Sequence, residues 1–454
     1  MSAQFSSWMR FGQPLELVLD DYERVFDGWQ AGGVETIVVG RLAFAATDGT
    51  PMAMAVFDPN PAVYRDVGVE PPSAPAEKLP EKRAALHKAL TEAKRRGLNI
   101  YVFCPDAGQG PGGPGHALAD EKSLTARVAR IRDVMEALPM VDGGILDGPE
   151  LGYEIAPGHR SNIFADLPES LREKAGVLAY DYDELIAARD RFEAKLHHLH
   201  AGEIDLRADG GFLGAFELFD SDAGLAAFFA FRRALLMDYY QRQYDALQQM
   251  PRPVQIGVGS RLPCFTALNG YDLKAMAANY AFILPKLYFF HRGFDGFYGT
   301  IGRYIQTLSE WNPQLSDAHA IRVIEALLGV RLPWINSRFD LELGFPPMEF
   351  AEFVQTETRR MLAAAPPARV VPWVEAGREP HHGDPISAGD LYRYLFAARE
   401  AGLRRFLYHS HTHLSESEWA VLSHLCGEEW HSGMSGYTPP DDMPWESHAK
   451  RSGS

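Results

Sequence analysis

The sequence predicts a single (β/α)8 barrel spanning residues 1–454, and three observations carry that prediction. Eight strand candidates each lead into a helical segment. The connections after strands two, four and six are long, which is how a barrel of about 250 residues grows past 400 by insertion. No GxGxxG follows the first strand and no GxxxxGK[ST] occurs, which removes the usual ground for a doubly wound open sheet.

In chain order, residues 15–19 (LELVL) read as the first strand, and 20–29 as a helix stopped by two glycines. Residues 34–39 (VETIVV) form the second strand, followed by a Pro-rich loop over 59–80 and a helix over 81–96 that Gly97 ends. Residues 99–104 (NIYVFC) are the third strand. GQGPGGPGHALAD reads as a loop on composition, and 122–138 as the third helix. The fourth strand is Gly143-Gly144-Ile145-Leu146, which Pro149 closes because proline has no N–H for a ladder.

An insertion at about 155–220 follows, with helices over 167–174 and 183–200 and an irregular Gly-rich stretch over 203–219. Ser221 or Asp222 caps a long helix to about 249. Residues 253–258 (PVQIGV) are the fifth strand and 282–290 (FILPKLYFF) the sixth, with Pro285 an oddity inside it. A second insertion, at about 293–367, holds helices over 317–328 and 348–365. The seventh strand is 369–374 (RVVPWV) and the eighth 405–408 (RFLY), followed by helices over 387–401 and 416–426.

The chain is 46% hydrophobic, enough for a large core, and its net charge of -16 comes without a Lys/Arg-rich block. A nucleic-acid partner and an anionic membrane surface are therefore not expected. Cys104, Cys264 and Cys426 are widely spaced and odd in number, so no disulfide framework or CxxC metal pair follows. The first residues lack a basic segment followed by an apolar run. No apolar stretch approaches the roughly 20 residues that span a bilayer, so a cytoplasmic protein is expected. Phe228-Phe229-Phe231 and Tyr239-Tyr240 read as core or as the face of a homo-oligomer.

In such a barrel the residues just after each strand share one rim, where catalytic groups collect. Here they are Arg41, Asp106, Asp147 with Glu150 and Glu154, Arg261, His291 with Arg292, Glu375, and His409 with His411 and His413. Three carboxylates in eight residues, Asp147, Glu150 and Glu154, leave one strand end. Glu375 ends an apolar strand with Trp373 two residues back on the same face.

The segments LDGPE and WVEAG, at the ends of strands four and seven, resemble the retaining (β/α)8 glycoside hydrolases. The resemblance covers the architecture and these two segments and points to no particular family. It implies an acid/base Glu after strand four and a nucleophilic Glu ending strand seven, which gives those roles to Glu150 and Glu375. One departure is clear: that group has Asn just before its strand-four Glu, and Pro149 stands here. Asp147 and Glu154 are therefore competitors, and a second layout makes Asp147 the nucleophile with an acid from a later loop such as Asp295.

Two carboxylates suit glycosidic cleavage because one protonates the leaving oxygen while the other attacks the anomeric carbon or activates water. Arg41, Asp106, Glu154, Arg261, His291, Arg292, His409 and His411 would then bind a small carbohydrate or hold the carboxylates. Trp373 and Tyr288 would offer a stacking face. This reading needs no cofactor.

The rival reading uses YHSHTH. His409, His411 and His413 alternate, and on an extended strand they would share one side and hold a metal in a hydrolase, isomerase or lyase. A third reading keeps the barrel as a sugar binder without catalysis.

Overall fold

In the computed structural model the described residues are 5–11, 15–40, 42–45, 51–53, 56–75, 78–105, 117–290, 296–343, 347–374, 386–434 and 436–440. They contain a closed barrel of parallel strands: β1 Ser6–Phe11, β2 Val34–Val39, β3 Asn99–Pro105, β4 Gly143–Asp147, β5 Gln255–Ser260, β6 Phe282–Leu287, β7 Trp373–Val374 and β8 Arg405–Tyr408. Each strand pairs with its neighbour in sequence, and β8 closes on β1 through Ser6↔Arg405 to Met9↔Tyr408. The predicted fold class is correct. The long connections follow β2, β4 and β6. The first of these carries a small antiparallel hairpin of Ala43–Ala45 and Pro51–Ala53.

The first strand is a correction. Residues 15–19, expected as a strand, contain the short helix Glu16–Leu19. Leu15, Val18 and Leu19 are buried while Leu17 faces out, a spacing of three and four that suits a helix. The strand is SSWMRF instead, whose two serines and arginine disguise its apolar alternation. The 203–219 stretch, expected to be irregular, holds the helices Ala201–Arg207 and Gly211–Leu218. The sixth strand ends at Leu287 rather than 290. Pro285 fits inside it because β7 pairs only from Lys286↔Trp373, after an isolated bridge at Ile283↔Val370. On the β7 side Pro285 falls between those contacts, while on the other side it stands opposite Ser260 of β5.

Period-two alternation sorts the barrel into two layers. Trp8, Val38, Tyr101, Phe103, Ile145, Leu284, Tyr288, Val371, Trp373 and Leu407 form one cluster inside the barrel. Their strand neighbours Met9, Ile37, Val102, Leu146, Ile283 and Phe406 belong to the larger outer core, under the helices.

Those helices begin where short polar side chains accept from free N–H groups. Asp120 caps Glu121–Ala137, Asp181 caps Tyr182–Leu196 and Asp222 caps Ala223–Leu247. Ser415 and Glu418 form a capping box at Glu416–Cys426. Among the described residues no helix is long and apolar enough to cross a membrane.

Candidate active site

The alternation that fills the barrel also selects what stands at its mouth. Two residues beyond Trp8 comes Arg10, beyond Ile145 comes Asp147, beyond Leu284 comes Lys286, and beyond Leu407 comes His409. Glu375 holds the corresponding place after Trp373 in the sequence. Glu375, Arg41, Asp106, His291 and Arg292 lie outside the described residues.

Asp147 is the centre of the described rim. Its Oδ2 accepts from Lys286 Nζ at 3.1 Å, and its backbone carbonyl accepts from Arg127 at 3.3 Å. Burial pushes its carboxyl up, but Lys286 and Arg261, with Arg127 behind them, outweigh burial and hold it below the ordinary value. It is therefore an ionised carboxylate whose side chain keeps 30% exposure, and Lys286 beside it keeps 7%. Gly259, on the adjoining strand, leaves room for it: a Cβ there would lie 2.9 Å from Asp147 Oδ1.

Glu150 meets a different partner. Arg261 grips both of its oxygens, with Nε to Oε2 at 2.7 Å, and Tyr271 donates its hydroxyl to Oε2 at 3.4 Å. Both oxygens are therefore engaged by the guanidinium fork. Arg261 in turn lies over the Tyr153 ring. Asp147, Glu150 and Arg261, all read from strand ends, thus belong to one connected group.

Glu154 stands apart in the wall. It is fully buried, its Oε1 accepts from Thr300 at 3.0 Å and from Arg303 at 3.1 Å, and burial raises its carboxyl against those donors. This ties the connection after β4 to the helix Phe297–Trp311.

Across the mouth, His409 lies against the rings of Tyr288 (5.8 Å between centroids) and Trp373 (5.4 Å). Arg10 Nη1 approaches His409 Nε2 at 3.1 Å, and Trp373 meets Phe103 edge-on. Trp373, Tyr288 and Phe103 make an aromatic floor beside the Arg10 and His409 pair.

The three histidines do not share one side. β8 stops at Tyr408, and His411–His413 turn into a 3-10 helix. His411 packs between Trp29 (5.0 Å) and Tyr437 (6.2 Å), away from His409. Among the described residues no three His, Cys, Asp or Glu side chains gather closely enough to hold a metal ion.

Burial pushes the His411 imidazole down to about 3 from 6.5. Between those values the unfolded chain binds a proton that the folded one does not, so stability is lost as pH falls through that window. Replacing His411 by Phe should make the fall in melting temperature between pH 6.5 and 3 shallower. An unchanged slope would show that its burial costs nothing in acid.

Arg10, Arg127, Tyr271 and Lys286 are among the residues that escaped the sequence reading. Arg10 was hidden with the misplaced first strand. Lys286 was legible as the one charged residue in FILPKLYFF, two positions from Leu284 and Tyr288 on the inward face.

Strand order and inward alternation define this chain as a (β/α)8 barrel, with charged residues at the C-terminal ends of its strands. No protein-family model matches the chain, and no curated protein does. Several solved structures show a distant likeness to it. The PgaB (BpsB) glycoside hydrolase domain from Bordetella bronchiseptica is 12% identical with a TM-score of 0.48, covering 94% of this chain and 100% of that one. A chitinase from Chromobacterium violaceum is 10% identical with a TM-score of 0.40, covering 92% and 98%. A beta-galactosidase from the psychrophilic Marinomonas ef1 is 11% identical with a TM-score of 0.44, covering 90% of this chain and 54% of that one. Likeness at this level leaves the chemistry to be read from the rim of this chain.

Proposed function

We propose that this protein is a glycoside hydrolase acting on a small carbohydrate or glycoconjugate at the C-terminal mouth of its barrel. The observation that supports it most is Asp147: an inward-facing, ionised carboxylate at the end of β4, partly exposed at the barrel mouth. Arg10 and His409, whose side chains meet across the mouth, suit the hydroxyls of a sugar.

Asp147 is the ionised member of the pair, attacking the anomeric carbon or activating water. Glu375 is the complementary carboxyl, which protonates the leaving oxygen. This keeps the strand-four Asp as nucleophile but gives the acid role to Glu375 instead of Asp295, which also lies outside the described residues. Glu150, engaged on both oxygens by Arg261, shapes the mouth rather than donating a proton.

The test is hydrolysis of a panel of nitrophenyl glycosides. Glu375→Gln should lower kcat/KM by ~10²–10⁴-fold on poor leaving groups, and by much less on dinitrophenyl glycosides, which leave without a proton. A loss of equal size on every leaving group would return Glu375 to the nucleophile role. Native rates throughout would remove it from the reaction.

A further inference from the structure

The proposed hydrolysis uses Asp147 but gives Lys286 no chemistry of its own. The surroundings of this lysine are unusual. It sits on the inward face of β6, between Leu284 and Tyr288 of the interior cluster, and its side chain is 93% out of solvent contact near the C-terminal end of that strand. A lysine reaching for solvent would extend along the surface, as Lys78 does with 68% exposure. Lys286 instead ends on a carboxylate 3.1 Å away, in a group that also holds the Arg261 guanidinium. An amine desolvated in an apolar setting, next to a second cation and a proton acceptor, is how proteins make lysine nucleophilic.

We propose that Lys286 is an imine-forming amine, which captures the carbonyl carbon of a small hydroxy-aldehyde entering the barrel mouth. The step balances without a redox partner. Asp147 takes one proton from the ammonium. The freed lone pair forms a C–N bond, and the carbonyl π pair moves to oxygen. A second proton passes from nitrogen to that oxygen, and Asp147 returns the first as the C–O bond breaks. Ammonium and carbonyl become a protonated imine and one water.

Two observations support the assignment of roles. Burial, with Arg261 adding to it, pushes the Lys286 amine down to about 8 against the pull of Asp147. Arg10 and His409 stand at the same end of the barrel, where polar groups suit a hydroxylated compound. The capture goes beyond glycoside cleavage and does not rest on it.

The experiment is reductive trapping. The full-length protein is incubated with glycolaldehyde and cyanoborohydride at pH 7.5, and the adducts are mapped by peptide mass spectrometry. The secondary amine should form at Lys286 at least about tenfold faster than at exposed lysines such as Lys78 and Lys94. Lys286→Arg should lose that fast adduct and keep the slow ones. Adducts on exposed lysines with Lys286 unmodified would overturn the proposal in the native protein, whether or not the variant folds. Trapping needs no glycoside turnover, so loss of hydrolysis and loss of trapping are separate results.

Discussion

Asp147→Asn should cut kcat/KM for nitrophenyl glycosides by ~10³–10⁴-fold, about 4–5.5 kcal/mol of transition-state stabilisation. The amide keeps the size of the carboxylate and removes the charge that Lys286 and Arg261 maintain. If Asp147 is the nucleophile, Asp147→Ala with added azide should recover part of the rate, with a glycosyl azide as product. Asp147→Glu tests position rather than charge. Its extra methylene has little room beside β5, and a displacement of about 1 Å costs on the order of a hundredfold. An asparagine variant that folds with native circular dichroism and keeps native rates would end the case for Asp147.

The second large effect is on stability. Arg232, on the helix Ala223–Leu247, is fully buried and donates in three directions: to Asp166 Oδ1 at 2.6 Å, to the Leu268 carbonyl at 2.9 Å and to the Gly152 carbonyl. Asp166 also accepts from the Gly152 N–H at 2.6 Å. One guanidinium thus joins the connection after β4, the long helix and the turn after β5.

Arg232→Met would leave a buried carboxylate and two carbonyls without their donor, at a cost of about 3–5 kcal/mol. The double variant Arg232→Met with Asp166→Leu should be less destabilised than the single one, because it leaves no uncompensated charge. Chemical denaturation with matched m-values measures both. A single variant within about 0.5 kcal/mol of native would mean that water replaces the guanidinium there. Glu150 hangs from the same connection, so the arginine variant should also lose activity before it unfolds.

How far these features could be read in advance depended on what kind of signal they leave. Strands such as VETIVV and NIYVFC are visible because burial on both faces leaves a continuous apolar run. SSWMRF escaped because a first strand that places Arg10 in the mouth has to break that run. Asp147, Glu150 and Arg261 were legible as strand-end residues, but their pairing was not. Which guanidinium meets which carboxylate depends on neighbouring strands more than 100 residues apart in sequence. Glu154 looked like a rim residue by position, yet the chain after Pro149 turns it under Arg303. His411 looked aligned with His409 only while the strand was imagined to continue; the turn at 411–413 rotates it away.

The glycines of β5 have an evolutionary consequence. Large rings enter the barrel from β1, β3 and β7, while β5 contributes Gly257 and Gly259 toward Ile145, Leu284 and Asp147. A Cβ at Gly257 would meet Leu284 Cδ1 at 2.7 Å and Ile145 Cδ1 at 2.8 Å. Interior volume is fixed by the closed ladder, so these strands cannot drift independently. A lineage that acquires a side chain at position 257 must first shrink one on the fourth or sixth strand. Substitutions at 145, 257 and 284 should therefore be epistatic, each order of mutation passing through a different intermediate. The wall beside Asp147 is then held in place by steric interlock as much as by chemistry.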